Sequence, residues 1–234
     1  MPDKNPYTSS NRLLSHLSAG DLALLTPDLA RVALPRRKQL EAPRRSIEQV
    51  YFPESGFVSV VADRGTSRTE VGMIGREGMT GLAVVLGTDR TPNETFVQNA
   101  GEGSRIAAAS LRRAIAQSGS LHHCFLLYAH TFAIQATQTA RANARSKLEE
   151  RLARWLLMAH DRLERDELLI THDFLSIMLC ARRPGVTVGL NLLEKTGVIR
   201  THRGVISILD RTGLKRAANG AYGVPEAEFE RLFG

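Results

Sequence analysis

The sequence predicts an α+β fold, with a β-rich first half and a helical second half. Three observations carry that expectation. Between residues 47 and 108, short runs rich in β-formers alternate with Gly, Pro and Asp turn residues. From Ser120 an apolar repeat of helical period runs for roughly forty residues. The last third holds two short amphipathic stretches split by a tight break, then two β-runs joined by a Gly-containing turn.

Taken in order, residues 1–10 read as a tail. Asn11 to Ala33 reads as one helix, with Leu13, Leu14, Leu17, Leu22, Leu25 and Leu29 apolar and Ser18 or Asp21 available as caps. The β-runs are Ile47–Phe52, Gly56–Ala62, Glu70–Ile74, Thr95–Asn99 and Ser104–Ala108. Pro-Glu-Ser-Gly (53–56), Asp-Arg-Gly (63–65) and Gly-Glu-Gly (101–103) separate them, so a sandwich or barrel is expected. Arg76–Gly87 is a Gly-punctuated insert with room for one helical turn.

In the long helix, positions 121, 125, 128, 132, 135, 139 and 142 alternate by four and three. They hold Leu121, Phe125, Tyr128, Phe132, Gln135, Thr139 and Ala142, an a/d seam that becomes polar along its length. A second apolar face (Leu126, Leu127, Ala133, Ile134) is available for the β-rich domain, so the seam is assigned to a dimer partner. The other reading is a helix that packs its seam on its own domain. Around Asn143–Ser146 the seam fades. Lys147–Leu163 then resumes with Leu148, Leu152, Trp155, Leu156 and Met158, and a domain boundary is placed at the change.

Beyond it, Phe174, Leu175, Met178 and Leu179 mark a short helix. A second starts at Arg183-Pro184 and carries Val186, Leu190 and Leu193 inward. Val198–Ile199 and Val205–Ile208 form a hairpin turning at Thr201–Gly204. This is the layout of a winged helix-turn-helix, whose second helix enters the DNA major groove. From Leu168 to Arg216 there are eight Lys/Arg against three Asp/Glu, and the whole chain carries +7, which fits a polyanionic partner.

Composition narrows the classes further. A hydrophobic fraction of 43% over 234 residues supports real cores. No apolar run approaches a membrane span, and the first ten residues lack the apolar core of a secretory leader, so a cytoplasmic protein is expected. Cys124 and Cys180 make neither a disulfide framework nor a four-Cys metal site. There is no G-x-S-x-G, H-E-x-x-H or P-loop. The run Gly72–Gly87 lacks the Gly-Lys-Ser/Thr ending of a phosphate loop, so no enzyme is expected.

The order of β-rich domain, seam helix and winged helix resembles the cyclic-AMP receptor / fumarate-nitrate regulator (Crp/Fnr) family of bacterial transcription factors. The likeness is most specific in Glu150-Arg-Leu-Ala-Arg-Trp-Leu-Leu, in Ile170-Thr-His and in the helix-turn-helix with its wing. Val50-Tyr-Phe-Pro-Glu-Ser-Gly resembles the family's β-roll in pattern. The resemblance implies a β-roll (cupin-like jelly roll) effector domain over 1–118 and a dimerisation helix over 119–145. A winged helix-turn-helix DNA-binding domain over 146–234 completes the layout. It implies a homodimer on a palindromic double-stranded operator, an unidentified small-molecule effector, and RNA polymerase as a further candidate partner. An effector would change the packing of Thr80–Thr95 against the seam helix and reset two recognition helices that must span about 34 Å.

Two departures from the family pattern matter. Cyclic-nucleotide-binding members carry a Gly-Glu pair for the ribose and, about ten residues on, an Arg-Ser or Arg-Thr pair for the phosphate. Here Gly81 precedes Leu82, and Asn93-Glu94 stand at the second pair. The pocket at Thr80, Gly81, Leu82, Asn93, Glu94 and Thr95 is therefore expected to reject cyclic AMP, because Glu94 repels a phosphate. No cysteine precedes Cys124, which excludes the iron–sulfur sensor of the fumarate-nitrate branch. The family's Arg-Glu-x-x-x-Arg on the recognition helix becomes Arg183, Pro184 and Val188, so a different half-site is expected.

Arg183 and Arg182 are assigned to base edges, Thr187 and Asn191 to secondary contacts, and Thr171, Lys195, His202 and Arg203 to phosphates. His123 and His130 lie seven residues apart, too far to share an ion within one chain, so with His122 they read as ordinary surface or interface residues; no metal or cofactor is expected. Cys180 stands where the helix-turn-helix turn wants φ > 0, either as a thiol switch or as a tolerated small residue. The reading is a transcription regulator under an effector other than cyclic AMP. Its rival is an effector-binding or protein-interaction module that does not read DNA.

Overall fold

The computed structural model describes residues 9–63, 68–163 and 165–234. Residues 1–8 of the expected tail, and Arg64 and Gly65 of the expected turn, lie outside them. Two units emerge: residues up to Val60 with Ile74–Phe132 and Phe229–Gly234, and Val61–Met73 with Ala133–Glu228.

The single helix expected over Asn11–Ala33 is replaced by three pieces. Helix α1 (Arg12–Ser15) is capped by Asn11, whose side chain accepts from the Leu14 N–H. The Ser18 side chain accepts from Asp21 N–H and starts α2 (Ala19–Leu25) afresh. A 3-10 turn at Thr26–Asp28 contains Pro27, which has no N–H to continue a helix. Ala30–Leu34 is strand β1, paired antiparallel with a later strand from Ala30↔Arg105 to Leu34↔Gly101. Sheet pairing overrides the helical preference of its Ala, Arg and Leu residues.

The strands that follow are β2 (Gln39–Glu41), β3 (Gln49–Pro53), β4 (Phe57–Asp63) and β5 (Arg68–Ile74). After the one-turn helix α3 (Leu82–Val85) come β6 (Glu94–Asn99) and β7 (Gly101–Ala107). They form two sheets, ordered β1-β7-β3 and β2-β6-β4-β5. Strand β2 was not expected. Gly-Glu-Gly at 101–103 lies inside β7 rather than separating strands. A Cβ at Gly103 would meet the Phe52 carbonyl and one at Gly101 the Ser55 carbonyl, so these glycines admit a neighbouring backbone.

Helix α4 (Ala108–Gln117) was not anticipated; it leads into α5 (Gly119–Arg145). The first unit's core joins Leu13, Leu14, Phe52, Leu111, Leu121, Phe125 and Tyr128 with Phe229 and Phe233 from far along the chain.

The second unit holds α6 (Leu148–Leu163), β8 (Glu167–Leu169), α7 (His172–Met178), α8 (Arg183–Lys195), β9 (Ile199–His202) and β10 (Val205–Ile208). Helices α9 (Arg211–Ala217) and α10 (Val224–Phe233) follow, the latter ending in the first unit. Strand β8, absent from the expected wing, pairs antiparallel with β10 to give the order β8-β10-β9. Leu152, Leu156, Leu175, Val186, Leu190, Leu193, Ile206 and Leu214 are buried. Gly189 lets α8 approach α6, because a Cβ there would meet Leu152 Cδ1 at 2.6 Å. Within this unit Trp155 donates its Nε1–H to Glu70 Oε1 at 2.6 Å, tying that residue of β5 to α6. Among the described residues, no helix is long and apolar enough to cross a membrane.

Candidate nucleic-acid interface

The turn between α7 and α8 is built by local chemistry. Thr171 caps α7, its side chain accepting from the Phe174 N–H. At the other end Cys180 takes φ 46°, its N–H donates to the Ile177 carbonyl, and the Ala181 N–H donates to that of Ser176. That pair of bonds is a Schellman stop, with cysteine in the left-handed position usually given to glycine. The chain then restarts at Arg182, and Pro184 occupies the first turn of α8, where no N–H partner is needed.

The wing closes with equal economy. Its two-residue loop, Arg203-Gly204, has φ 41° and 81°. Positive φ at both positions is the type I′ turn that matches strand twist. Glu194 of α8 accepts the Thr201 N–H at 2.8 Å and its hydroxyl at 2.9 Å, so α8 is fastened to β9. The Thr201 backbone bond first, then its hydroxyl, hold the Glu194 carboxyl below the usual carboxylate range.

This arrangement leaves Arg182, Arg183, Asn191, Lys195, His202 and Arg203 exposed. Arg183 Nε sits 2.9 Å from Asp173 Oδ1, with both side chains about two-thirds exposed. Thr187 is half-buried: its hydroxyl donates to the Arg183 carbonyl at 3.2 Å and lies 3.0 Å from His172 Nδ1. Thr171 is exposed but its hydroxyl is engaged as a cap. Exposed Arg200 on β9 and exposed Leu192 on α8 were not singled out from the sequence, and exposed Pro184 and Val188 were noted only as departures from the family's Arg-Glu-x-x-x-Arg.

Residues 150–217 match the model of the Crp-like helix-turn-helix domain. That stretch, which runs from α6 to α9, is a Crp-like helix-turn-helix domain. Solved structures agree on the fold. A Crp/Fnr-family regulator from Eubacterium rectale superposes with TM-score 0.71 at 16% identity, covering 89% of this chain and 98% of that one. FixK2 from Bradyrhizobium japonicum gives 0.70 at 14%, covering 81% and 96%. The c-di-GMP-responsive regulator CLP of Xanthomonas campestris gives 0.67 at 16%, covering 82% and 99%. No curated protein matches the chain by sequence.

In the first unit, Thr80, Gly81, Leu82, Asn93 and Thr95 line one cavity of about 90 Å³. Glu94 is not among the lining residues; it accepts from Gln39 Nε2 at 2.8 Å. Glu41, which sequence reasoning missed, does line it. Only 8% exposed, Glu41 accepts the Gly81 N–H at 2.5 Å and the Thr95 hydroxyl at 2.7 Å. Burial pushes its carboxyl above the ordinary range. A buried acid in a short strand carries no local signal; its partners lie 40 and 54 residues away.

The seam assigned to a partner is corrected at its strong end. Leu121, Phe125 and Tyr128 are 0–2% exposed and belong to their own unit's core. The Phe125 ring lies 6.1 Å from that of Phe52, and Tyr128 covers Gly78 so closely that a Cβ there would strike its ring. Phe132 lines the cavity. In the second unit, Gln135 accepts the Met73 N–H at 2.6 Å and donates back to its carbonyl, while the Thr139 hydroxyl donates to the Gln135 carbonyl. Among the exposed positions of α5, His123, Leu126, His130, Ala133, Thr137, Ala140 and Ala144 again alternate by three and four, with Gly119, Ser120, Arg141, Asn143 and Arg145 also exposed at its two ends. The half-buried Cys124 thiol is pushed up to about 11 by burial and then by the charge of Asp21, so it is protonated at neutral pH.

Proposed function

We propose that the chain is a cytoplasmic homodimer whose α8 helices read a palindromic operator, under control of an effector other than cyclic AMP. Exposed Arg182 and Arg183 at the start of α8, inside a Crp-like helix-turn-helix domain, carry this reading. An Arg there can bond guanine O6 and N7 together. Lys195, His202 and Arg203 meet phosphates, and residues 146–234 act as the DNA-binding part. The subunits meet along α5 on its exposed three-four repeat, with Leu126 at 38% exposure as an apolar anchor. Glu41 supports the effector statement: its carboxylate already holds donors that an anionic ligand in that cavity would need.

Binding to random duplex DNA that weakens steeply with salt is the expected first result. On a sequence selected from random duplexes, Arg183→Ala should lose about 1–3 kcal/mol and relax preference at one base pair. Lys195→Ala should weaken all sequences alike. Absence of salt-dependent DNA binding would favour the module that does not read DNA.

A further inference from the structure

We infer that α8 reads thymine methyl groups beside the base contacted by Arg183, through an apolar strip made by Pro184, Val188 and Leu192. The inference rests on the proposed DNA reading and adds the chemistry of the half-site.

The three residues follow one another at a spacing of four along α8, and all are exposed, Val188 by 58% and Leu192 by 45%. Neighbours at that spacing share a helix side. Folding does not need them. The inward side of α8 is already supplied by Val186, Leu190 and Leu193, which are 0–3% exposed. Nor does helix propensity ask for Val188, since a β-branched valine is a mediocre helix former.

Charge identifies the occupant. Exposed Arg182 and Arg183 precede the strip, exposed Lys195 follows it, and Arg200 and Arg203 are exposed on the wing. Cations on either side of an apolar strip suit a surface that is anionic at its edges and partly apolar at its centre. Duplex DNA has that character in the major groove, where phosphates flank the base edges and the thymine C5-methyl is the apolar group on display. Val188 has no hydrogen-bonding group. Pressed against a guanine or cytosine edge it would strand donors or acceptors, whereas against thymine it buries a methyl.

The test uses the full chain and the sequence it selects from random duplexes. Each thymine of the half-site is replaced in turn by deoxyuridine, which keeps the base pair and removes the methyl. Affinity should fall about fourfold at one or two positions, the size expected for one methyl, and more when both half-sites are changed. Val188→Ala should bind the thymine site less tightly and should no longer distinguish uracil there. Val188→Thr, which keeps a γ-methyl, should still distinguish it. If uracil substitution at every thymine leaves the wild-type affinity unchanged while Arg183→Ala still relaxes one base pair, the methyl inference is wrong and the DNA reading stands. If no sequence is selected at all, both fall.

Discussion

The floor of the first unit's cavity and the outward side of α8 treat their charged groups in opposite ways. Glu41 spends both carboxylate oxygens on donors of its own unit, the Gly81 N–H and the Thr95 hydroxyl. Arg183 has an aspartate partner, but one about two-thirds in water, as it is itself. Such an exposed pair contributes about 0–1 kcal/mol, so a base or phosphate can displace Asp173 at little cost. Displacing the buried Glu41 would strip the Gly81 N–H of its acceptor, which costs about 1–3 kcal/mol if nothing replaces it. The difference teaches where to look for partners: at groups the fold leaves cheaply paired, rather than at the concave site alone.

The largest effect should come from the interior side of that contrast. Phe125→Ala deletes a fully buried ring packed on Phe52, so about 3–5 kcal/mol of stability should be lost. Urea unfolding checks it. A variant that keeps its urea midpoint but dissociates into monomers would return the ring to a dimer seam and break the contrast.

Glu41→Gln probes the cavity floor more gently. Burial raises the Glu41 carboxyl above its ordinary value near 4.5, so the folded protein holds that proton to higher pH than the unfolded chain. Its contribution to stability is therefore fully present at acid pH and falls as pH rises from about 4.5 towards the raised folded value. Wild-type midpoints in urea should decline across that window relative to those of the Gln variant. Superimposable profiles would mean that the carboxyl is effectively solvated. Cyclic AMP should leave the wild-type midpoint in place, and a ligand-dependent rise would show the cavity open to anions.

Smallest is Cys180→Gly. At φ 46° a glycine removes the left-handed penalty, and a gain of about 0.5–1 kcal/mol is expected from thermal or urea melts. Cys180→Ala should bring no gain. Sensitivity of operator binding to thiol oxidants in wild type and not in the Gly variant would revive a switch at this turn.

The helix-turn-helix was legible because its signals are local: the break at Cys180, Arg183-Pro184 at a helix start, and a Gly204-containing turn between two β-runs. The β-runs announced themselves for the same reason. What escaped depends on distant partners. Strand β1 is helix-like in composition and becomes a strand through β7. Strand β8 is three residues long and is defined by β10. The orientation of α5 was a choice between two apolar faces, and Tyr128 lying on Gly78 decides it. Glu41 was invisible because a single acid between prolines in sequence reads as surface.

Helix α10 gives the first unit a dependence on the order of synthesis. Phe229 and Phe233 stack 4.7 Å apart, the Arg12 guanidinium lies 4.7 Å from the Phe229 ring, and His16 meets Phe233 edge-on at 5.1 Å. Domains made first usually fold first on the ribosome. Here the residues that close the hydrophobic centre around Leu13 and Leu14 are made some two hundred residues later. Until they emerge, the early-made part of the unit leaves Leu13, Leu14 and their neighbours uncovered, and a chaperone has that whole interval in which to act.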